Sequence, residues 1–351
     1  MEKNSTMATE EQLKKIRTDI DWGSLGFSYM PVNSHIRACY RDGKWSEGEL
    51  INEPTITMSI AATCLHYGQA AFEGLKAFRC KDGKVRVFRP DENAKRLNLS
   101  AERILGPTIP VDFFNELVRR VVLDNIEFVP PYGSGGSLYI RPLYIGVGPQ
   151  IGVAPANEYD LLIMVMPVGP YYKGGLKSVR AMVIEDYDRA APLGTGTIKL
   201  GGNYAASLKP AKAAKEKGFP IPLFMDPKTH EYVDEFGTSN FFGITKDGAY
   251  VTPSSESILG SITNKSLQQI AADLGMKVER RPIHRNELGD FAEIGACGTA
   301  VVITPVSEIV TGDKTYKYNE ECGPTLRKLY VRMTGIQYGE LPDTHNWNFE
   351  V

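Results

Sequence analysis

The sequence predicts an α+β protein of two domains, the second strand-rich and barrel-like. Three observations carry that expectation. The chain has 351 residues, more than one ordinary core accommodates. Its first half mixes helical stretches with alternating strands. Its second half is strand-rich and not dominated by parallel βαβ units, which argues against a doubly wound sheet.

Taken in order, "TITMSIAAT" (55–63) reads as a strand, and "LKAFRCKDGKVRVFRP" (75–90) as a hairpin turning at Asp82-Gly83. "DENAKRLNLSAERIL" (91–105) reads as a helix starting after Pro90. "VDFFNELVRRVVLDN" (111–125) reads as a second, with Asp112 as its N-cap. "SLYIRPLYIGVG" (137–148) and "YDLLIMVMPVG" (159–169) are strands. The Gly/Pro/Tyr-rich "PVGPYYKGGLK" (167–177) supplies a linker. Beyond it come the strand "SVRAMVIED" and the helix "NYAASLKPAKAAKEKG" (203–218), with Asn203 as N-cap, a kink at Pro210 and a stop at Gly218. Hairpins turning at "DPKTH" and "KDGA", the helix "TNKSLQQIAADLG" (263–275), the strand "AVVITPVSEI" and a closing helix, "GPTLRKLYVRMTGIQYG", complete the chain. The expected division is an N-terminal extension over 1–20, a small α+β domain over 21–168, a linker over 169–177 and a larger domain over 178–351.

Composition removes several function classes. A net charge of −2 lacks the basic excess that a nucleic-acid or anionic-membrane surface needs. The apolar run "LLIMVMPV" is far short of a membrane span. The first twenty residues mix acids and bases without an apolar signal core, so a cytoplasmic protein is expected. The five cysteines are scattered without a C-x-x-C, and no histidine pair stands at i, i+4 beside a glutamate. No metal site is expected.

The chemistry concentrates in four oddly placed polar segments around "GTGTIKLGGNYAASL". Lys199 stands there between Ile198 and Leu200, far from other charges. A solvated loop lysine and a partly dry, reactive amine both suit that setting. "YVDEFGTSNFF" sets Asp234 and Glu235 between apolar runs, where a carboxylate needs a partner. "ILGSITNKSL" is a small-residue turn opening a helix, suited to a plain N-cap or to a phosphate. "GACGTAVV" is a glycine-threonine turn feeding a strand, and "ENAKRL" places Arg96 on a helix. Together they match the needs of pyridoxal phosphate: a lysine for its aldehyde, a carboxylate for its ring nitrogen and a cup for its phosphate.

With "LHYGQAAFEGLKAFR", "FRPDENAKRL", "SLYIRPLYIG", "IKLGGNYAASL", "VDEFGTSNFF" and "GTAVVITPVSEI" in this order, the chain resembles the branched-chain amino-acid aminotransferases. These are fold-type IV pyridoxal-phosphate enzymes with a small N-terminal α+β domain and a larger C-terminal pseudo-barrel. The resemblance implies exchange of an amino group between leucine, isoleucine or valine and 2-oxoglutarate, through glutamate, by a homodimer. It assigns Lys199 as the amine that joins the cofactor and moves the proton, Tyr204 to the phenolic oxygen and Glu235 to the ring nitrogen. Arg189 becomes a second cofactor-side arginine and Leu259 packs on the ring. Arg96, Ile262, Thr263 and Thr299 become phosphate ligands, and Thr238 a further cofactor contact. On the substrate side it gives the α-carboxylate to Tyr139 and the amides of Thr299 and Ala300. The apolar pocket falls to Phe27, Tyr67, Tyr171 and Val153, the last lent by a second subunit. Glutamate's distal carboxylate falls to Arg141 and Tyr67.

One departure stands out. Some members carry a redox-active C-x-x-C after the Gly-Thr-Ala turn, where this chain has Val301 and Thr304. That thiol switch is absent here, and Cys297 is expected to pack. Rival readings are a D-amino-acid aminotransferase, an aminodeoxychorismate lyase, or a nucleotide-binding protein using "LGGN" or "GSIT". The last lacks both G-x-x-x-x-G-K-[ST] and a strand-linked G-x-G-x-x-G.

Overall fold

The structure is a computed structural model that describes residues 7–170, 175–312 and 314–351. These fall into two units, one running to residue 170 and resuming at Gly335–Val351, the other ending at Thr334. The expected boundary is corrected accordingly. The closing segment, assigned above to a domain over 178–351, belongs with the first unit, which is therefore the longer of the two.

The first unit is built on β1 (His35–Arg41), β2 (Lys44–Trp45), β3 (Glu49–Ile51), β4 (Ala70–Phe72), β5 (Leu75–Arg79), β6 (Val85–Phe88), β7 (Ser137–Gly146) and β8 (Tyr159–Val168). Its helices are the short α1 (Glu10–Leu13) and α2 (Thr63–Tyr67) and the longer α3 (Pro90–Arg103) and α4 (Val111–Asp124). Asp82-Gly83 turns the β5–β6 hairpin, Gly83 at φ 81° supplying the left-handed position. Pro90 opens α3 at its first turn, where its missing N–H costs nothing. Both longer helices are amphipathic. Leu97 of α3 and Phe114, Leu117, Val118 and Val121 of α4 are buried, and α4 packs on α3, β1 and β8.

Two expectations fail here. Residues 55–63 form no strand. Apart from one isolated bridge from Ala62 to Pro149 their alternation pairs with no strand, and the segment instead leads into α2. Asp112 sits inside the first turn of α4, whose N-cap is Pro110 without a side-chain bond.

The second unit holds β9 (Val179–Ile184), β10 (Ile221–Met225), β11 (Val233–Phe236), β12 (Ser239–Thr245), β13 (Tyr250–Thr252), β14 (Val278–Arg280), β15 (Phe291–Gly298), β16 (Val302–Val310) and β17 (Thr315–Lys317). Six of these close a ring in the order β11–β10–β9–β16–β15–β12, and β12 returns to β11. Only β9 runs parallel to its neighbours β10 and β16 within that ring. Closure leaves no open edge within these six strands and seals a core that includes Val183, Leu223, Phe236, Phe241 and Phe291. The α+β class with a barrel-like second domain therefore holds.

Helices α5 (Gly201–Glu216), α6 (Ile262–Asp273) and α7 (Pro324–Gln337) flank this barrel or lead out of it. The carboxylate of Glu293 on β15 accepts from the amides of Thr325 and Leu326, capping α7. The last strand, β18 (Asn348–Glu350), pairs antiparallel with β6 and completes the nine-stranded sheet of the first unit. No helix among the described residues is long and apolar enough to cross a membrane.

Candidate active site

Lys199 lies just ahead of α5, whose N-cap is Leu200. Tyr204 stands in the helix's first turns and points back, so that Lys199 Nζ donates to its hydroxyl at 2.6 Å. The expected cap, Asn203, has a different task. Its amide donates to the carbonyls of Thr195 and Ile198 and accepts from the Thr195 hydroxyl, stapling the loop that delivers Lys199. A Cβ built on Gly201 or Gly202 meets nothing within 4 Å, so the helix opens onto free space.

Glu235 and Asp234 are adjacent on β11, and alternation sends them to different partners. Glu235 is buried. Its Oε1 pairs with Arg189 at 2.6 Å and accepts from the Leu259 amide at 3.0 Å, while Oε2 accepts from Asn240 at 3.3 Å. Burial pushes its carboxyl up to about 7, against the opposing pull of Arg189, the Leu259 amide and Lys199. Arg189 is itself buried and also donates to the carbonyls of Gly196 and Ser257. Asp234 turns to the Ser257 hydroxyl, and burial raises its carboxyl as well.

The segment after β13 carries Leu259 to the start of α6. Ser261 caps that helix by accepting from the Asn264 amide. Ile262 and Thr263 are its first residues, and their amides have no intrahelical acceptor. Both are buried, and a Cβ on neighbouring Gly260 meets nothing within 4 Å. Thr299 and Ala300 lie half-buried in the β15–β16 turn. Thr238 is exposed in the β11–β12 turn, its carbonyl close to where a Cβ on Gly298 would lie. One cross-strand row, Glu235, Asn240, Cys297 and Ile303, ties the buried carboxylate to that end of the barrel.

In the first unit, Tyr139 and Arg141 share one face of β7. Arg141 Nη2 donates to the Tyr139 hydroxyl at 2.8 Å, and its guanidinium lies 4.9 Å from the Phe72 ring centre and 5.2 Å from that of Tyr139. The Tyr139 hydroxyl therefore keeps its own proton to donate. Phe27 meets the Tyr139 ring edge-on at 4.9 Å. Tyr67 donates to the Ile151 carbonyl. Val153 is 85% exposed and Tyr171 lies outside the described residues.

Arg96 is engaged by a carboxylate the sequence reading passed over. Glu73 is fully buried and takes Arg96 Nε at 2.8 Å and Nη2 at 2.7 Å, with Asn93 donating to it at 2.7 Å. Its signal was there to read, an acid inside the apolar run "AAFEGLKAF". Lys76 was missed in the same run. It is buried opposite Tyr139, and burial draws its amine down to about 8.

The second unit's donor set fits pyridoxal phosphate. It combines a carboxylate paired with Arg189, an amine bonded to a phenol and helix-terminal amides beside open space. Residues 70–309 match the model of the amino-transferase class IV family. The chain belongs to the class IV aminotransferases. This aminotransferase is 47% identical over 341 residues to a branched-chain-amino-acid aminotransferase of Haemophilus influenzae, covering 95% of this chain and 99% of the relative. It is 48% identical over 335 residues to one of Helicobacter pylori, covering 95% and 98%. A solved structure of the Escherichia coli branched-chain amino acid aminotransferase matches with a TM-score of 0.76 at 27% identity, covering 90% of this chain and 98% of that one. The branched-chain aminotransferase of the archaeon Thermoproteus uzoniensis, solved with norvaline, matches with a TM-score of 0.74 at 27% identity, covering 90% and 99%.

Proposed function

We propose that this class IV aminotransferase exchanges an amino group between L-leucine, L-isoleucine or L-valine and 2-oxoglutarate, with pyridoxal 5'-phosphate as cofactor, in branched-chain amino-acid metabolism. The observation that carries the reading is the Lys199–Tyr204 pair in the same unit as a buried carboxylate ion-paired to Arg189. When bound, the cofactor supplies the electron sink that makes the substrate's Cα–H bond acidic.

Lys199 holds the cofactor and then carries the proton to and from Cα, a task for a positioned amine. Tyr204 orients that amine. Glu235, loaded by Arg189, keeps a proton on the ring nitrogen, and Leu259, whose amide bonds Glu235, packs on the ring. The amides of Ile262 and Thr263 receive phosphate oxygens, helped by Thr299, Thr238 and Arg96. The amides of Thr299 and Ala300 also receive the α-carboxylate. In the first unit, Tyr139 has a hydroxyl proton for the substrate's oxygens, and Arg141 pairs with glutamate's distal carboxylate beside Tyr67, Phe27 and Tyr171.

The working form is a cytoplasmic homodimer. The exposure of Val153, Ile151, Leu65 and Ile60 on the first unit supports a covered apolar surface, and the described cysteines are all unpaired thiols. The test is turnover of leucine, isoleucine and valine with 2-oxoglutarate, followed as glutamate released, with D-alanine as the competing donor. Borohydride reduction and peptide mass spectrometry should then find a pyridoxyl adduct on Lys199. Turnover of D-alanine without leucine, or an adduct elsewhere, overturns the reading.

A further inference from the structure

The β15–β16 turn holds the one β-branched residue with a left-handed backbone among the described residues, Val302 at φ 61°. Gly298 and Val302 are the last paired residues, and Thr299, Ala300 and Val301 form the loop between them. The amide of Ile303 donates to the Val301 carbonyl at 2.8 Å, an i→i+2 bond that encloses Val302 in a γ-turn of the rare, strained sense. Glycine adopts this backbone freely, whereas a residue branched at Cβ is strained there. Val302 is nevertheless buried, at 7% exposure, so packing grips its isopropyl group. Strain of this kind persists only where the surroundings over-determine it.

The next residue, Ile303, closes the row that runs through Cys297 and Asn240 to Glu235. The gripped turn thus joins the strand register of the Glu235 carboxylate to the loop bearing Thr299 and Ala300. We infer that Val302 is a positioning residue, whose strained γ-turn fixes the Thr299 and Ala300 amides for the substrate α-carboxylate. This rests on the role proposed above for those amides. Every substrate carries that carboxylate, so Val302 governs affinity for all of them alike and leaves side-chain selectivity untouched.

The test uses the holoenzyme and 4-methylvaleric acid, which has leucine's carbon skeleton without the amine. Val302→Gly relaxes the turn and should weaken binding of this acid about tenfold, the scale of one degraded hydrogen bond to a charged group. The KM values for leucine and glutamate should rise by a common factor. The absorption band of the bound cofactor and kcat should hold. Val302→Thr keeps the branch and should restore binding. Should the glycine variant fold poorly, Val302→Ala, which keeps the strained Cβ without the grip, carries the same comparison. Unchanged binding in the glycine and alanine variants overturns the proposal. So does a loss confined to leucine, or a threonine variant as impaired as glycine. Leucinamide separates this from failure of the underlying reading. If wild type uses leucinamide as well as leucine, the amides do not read the carboxylate at all. If wild type discriminates and Val302→Gly discriminates equally, only the role of Val302 falls.

Discussion

Replacing Glu235 by glutamine should change how the stability of the cofactor-free protein depends on pH. The folded carboxyl titrates at about 7, against about 4.3 in an unfolded chain. A carboxyl raised in the folded state holds its proton more tightly there. Its contribution to stability is therefore complete below about pH 4.3 and is lost as pH rises through about 7. A difference of roughly 2.7 pH units, at about 1.4 kcal/mol each, makes the full loss roughly 4 kcal/mol, of which about 3 kcal/mol falls between pH 4.5 and 8. Glutamine cannot ionise, so the stability gap between the two proteins should change by about 3 kcal/mol between pH 4.5 and 8. Any constant offset from the altered Arg189 contact drops out of that comparison. Asp234, also raised by burial, leaves the variant a residual slope of the same sign. The assay is urea unfolding by circular dichroism at half-unit pH steps. Saturating pyridoxal phosphate should flatten the wild-type curve, because a cation at the ring nitrogen favours the ionised carboxylate. Parallel curves for the two cofactor-free proteins would refute the argument that burial outweighs Arg189 at this carboxyl.

Lys199→Ala should fold yet lose transamination by at least the 10²–10⁴-fold typical of a missing acid–base group. A rate above about a tenth of wild type, far outside that range, would mean another base. Arg141→Gln should weaken the glutamate half-reaction by roughly ten- to a thousand-fold, the scale of a lost charge-assisted pair. Leucine should suffer much less, because the Arg141 guanidinium can rest on the Tyr139 hydroxyl. Single-turnover loss of the cofactor band reads the halves separately, and equal losses would make Arg141 a scaffold residue. Thiol oxidants should leave activity intact, since Val301 and Thr304 occupy the switch positions and burial raises the thiol of Cys297. Activity across glutathione ratios checks this, and a reversible, activity-linked disulfide would contradict it.

The site was legible where polar residues interrupt apolar runs. Lys199 and Glu235 announced themselves that way, and Glu73 carried the same signal unread. Hairpins were legible too, because Asp82-Gly83 demands a left-handed turn. What stayed hidden depends on partners distant in sequence. The segment 55–63 has strand alternation but pairs only through a single bridge from Ala62 to Pro149. Asn203 looks like a cap, yet it staples the Lys199 loop because the Thr195 and Ile198 carbonyls need a donor. Closure of the barrel depends on β11 meeting both β10 and β12, which alternation alone does not encode. The strain at Val302 was also invisible, since "GTAVVITPV" reads as an ordinary strand entry.

The pairing of β18 with β6 has a kinetic consequence. Arg86 and Glu350, which face each other across that edge, are 264 positions apart in the sequence. On a ribosome adding about 5–20 residues per second, β6 emerges roughly ten to fifty seconds before its neighbour is made. Throughout that interval its outer N–H and C=O groups are an open template for any passing strand. The barrel, contiguous in sequence, can close during the same interval. The N-terminal sheet is thus begun first and finished last, and its unpaired edge is where a stalled or clipped chain would start to aggregate.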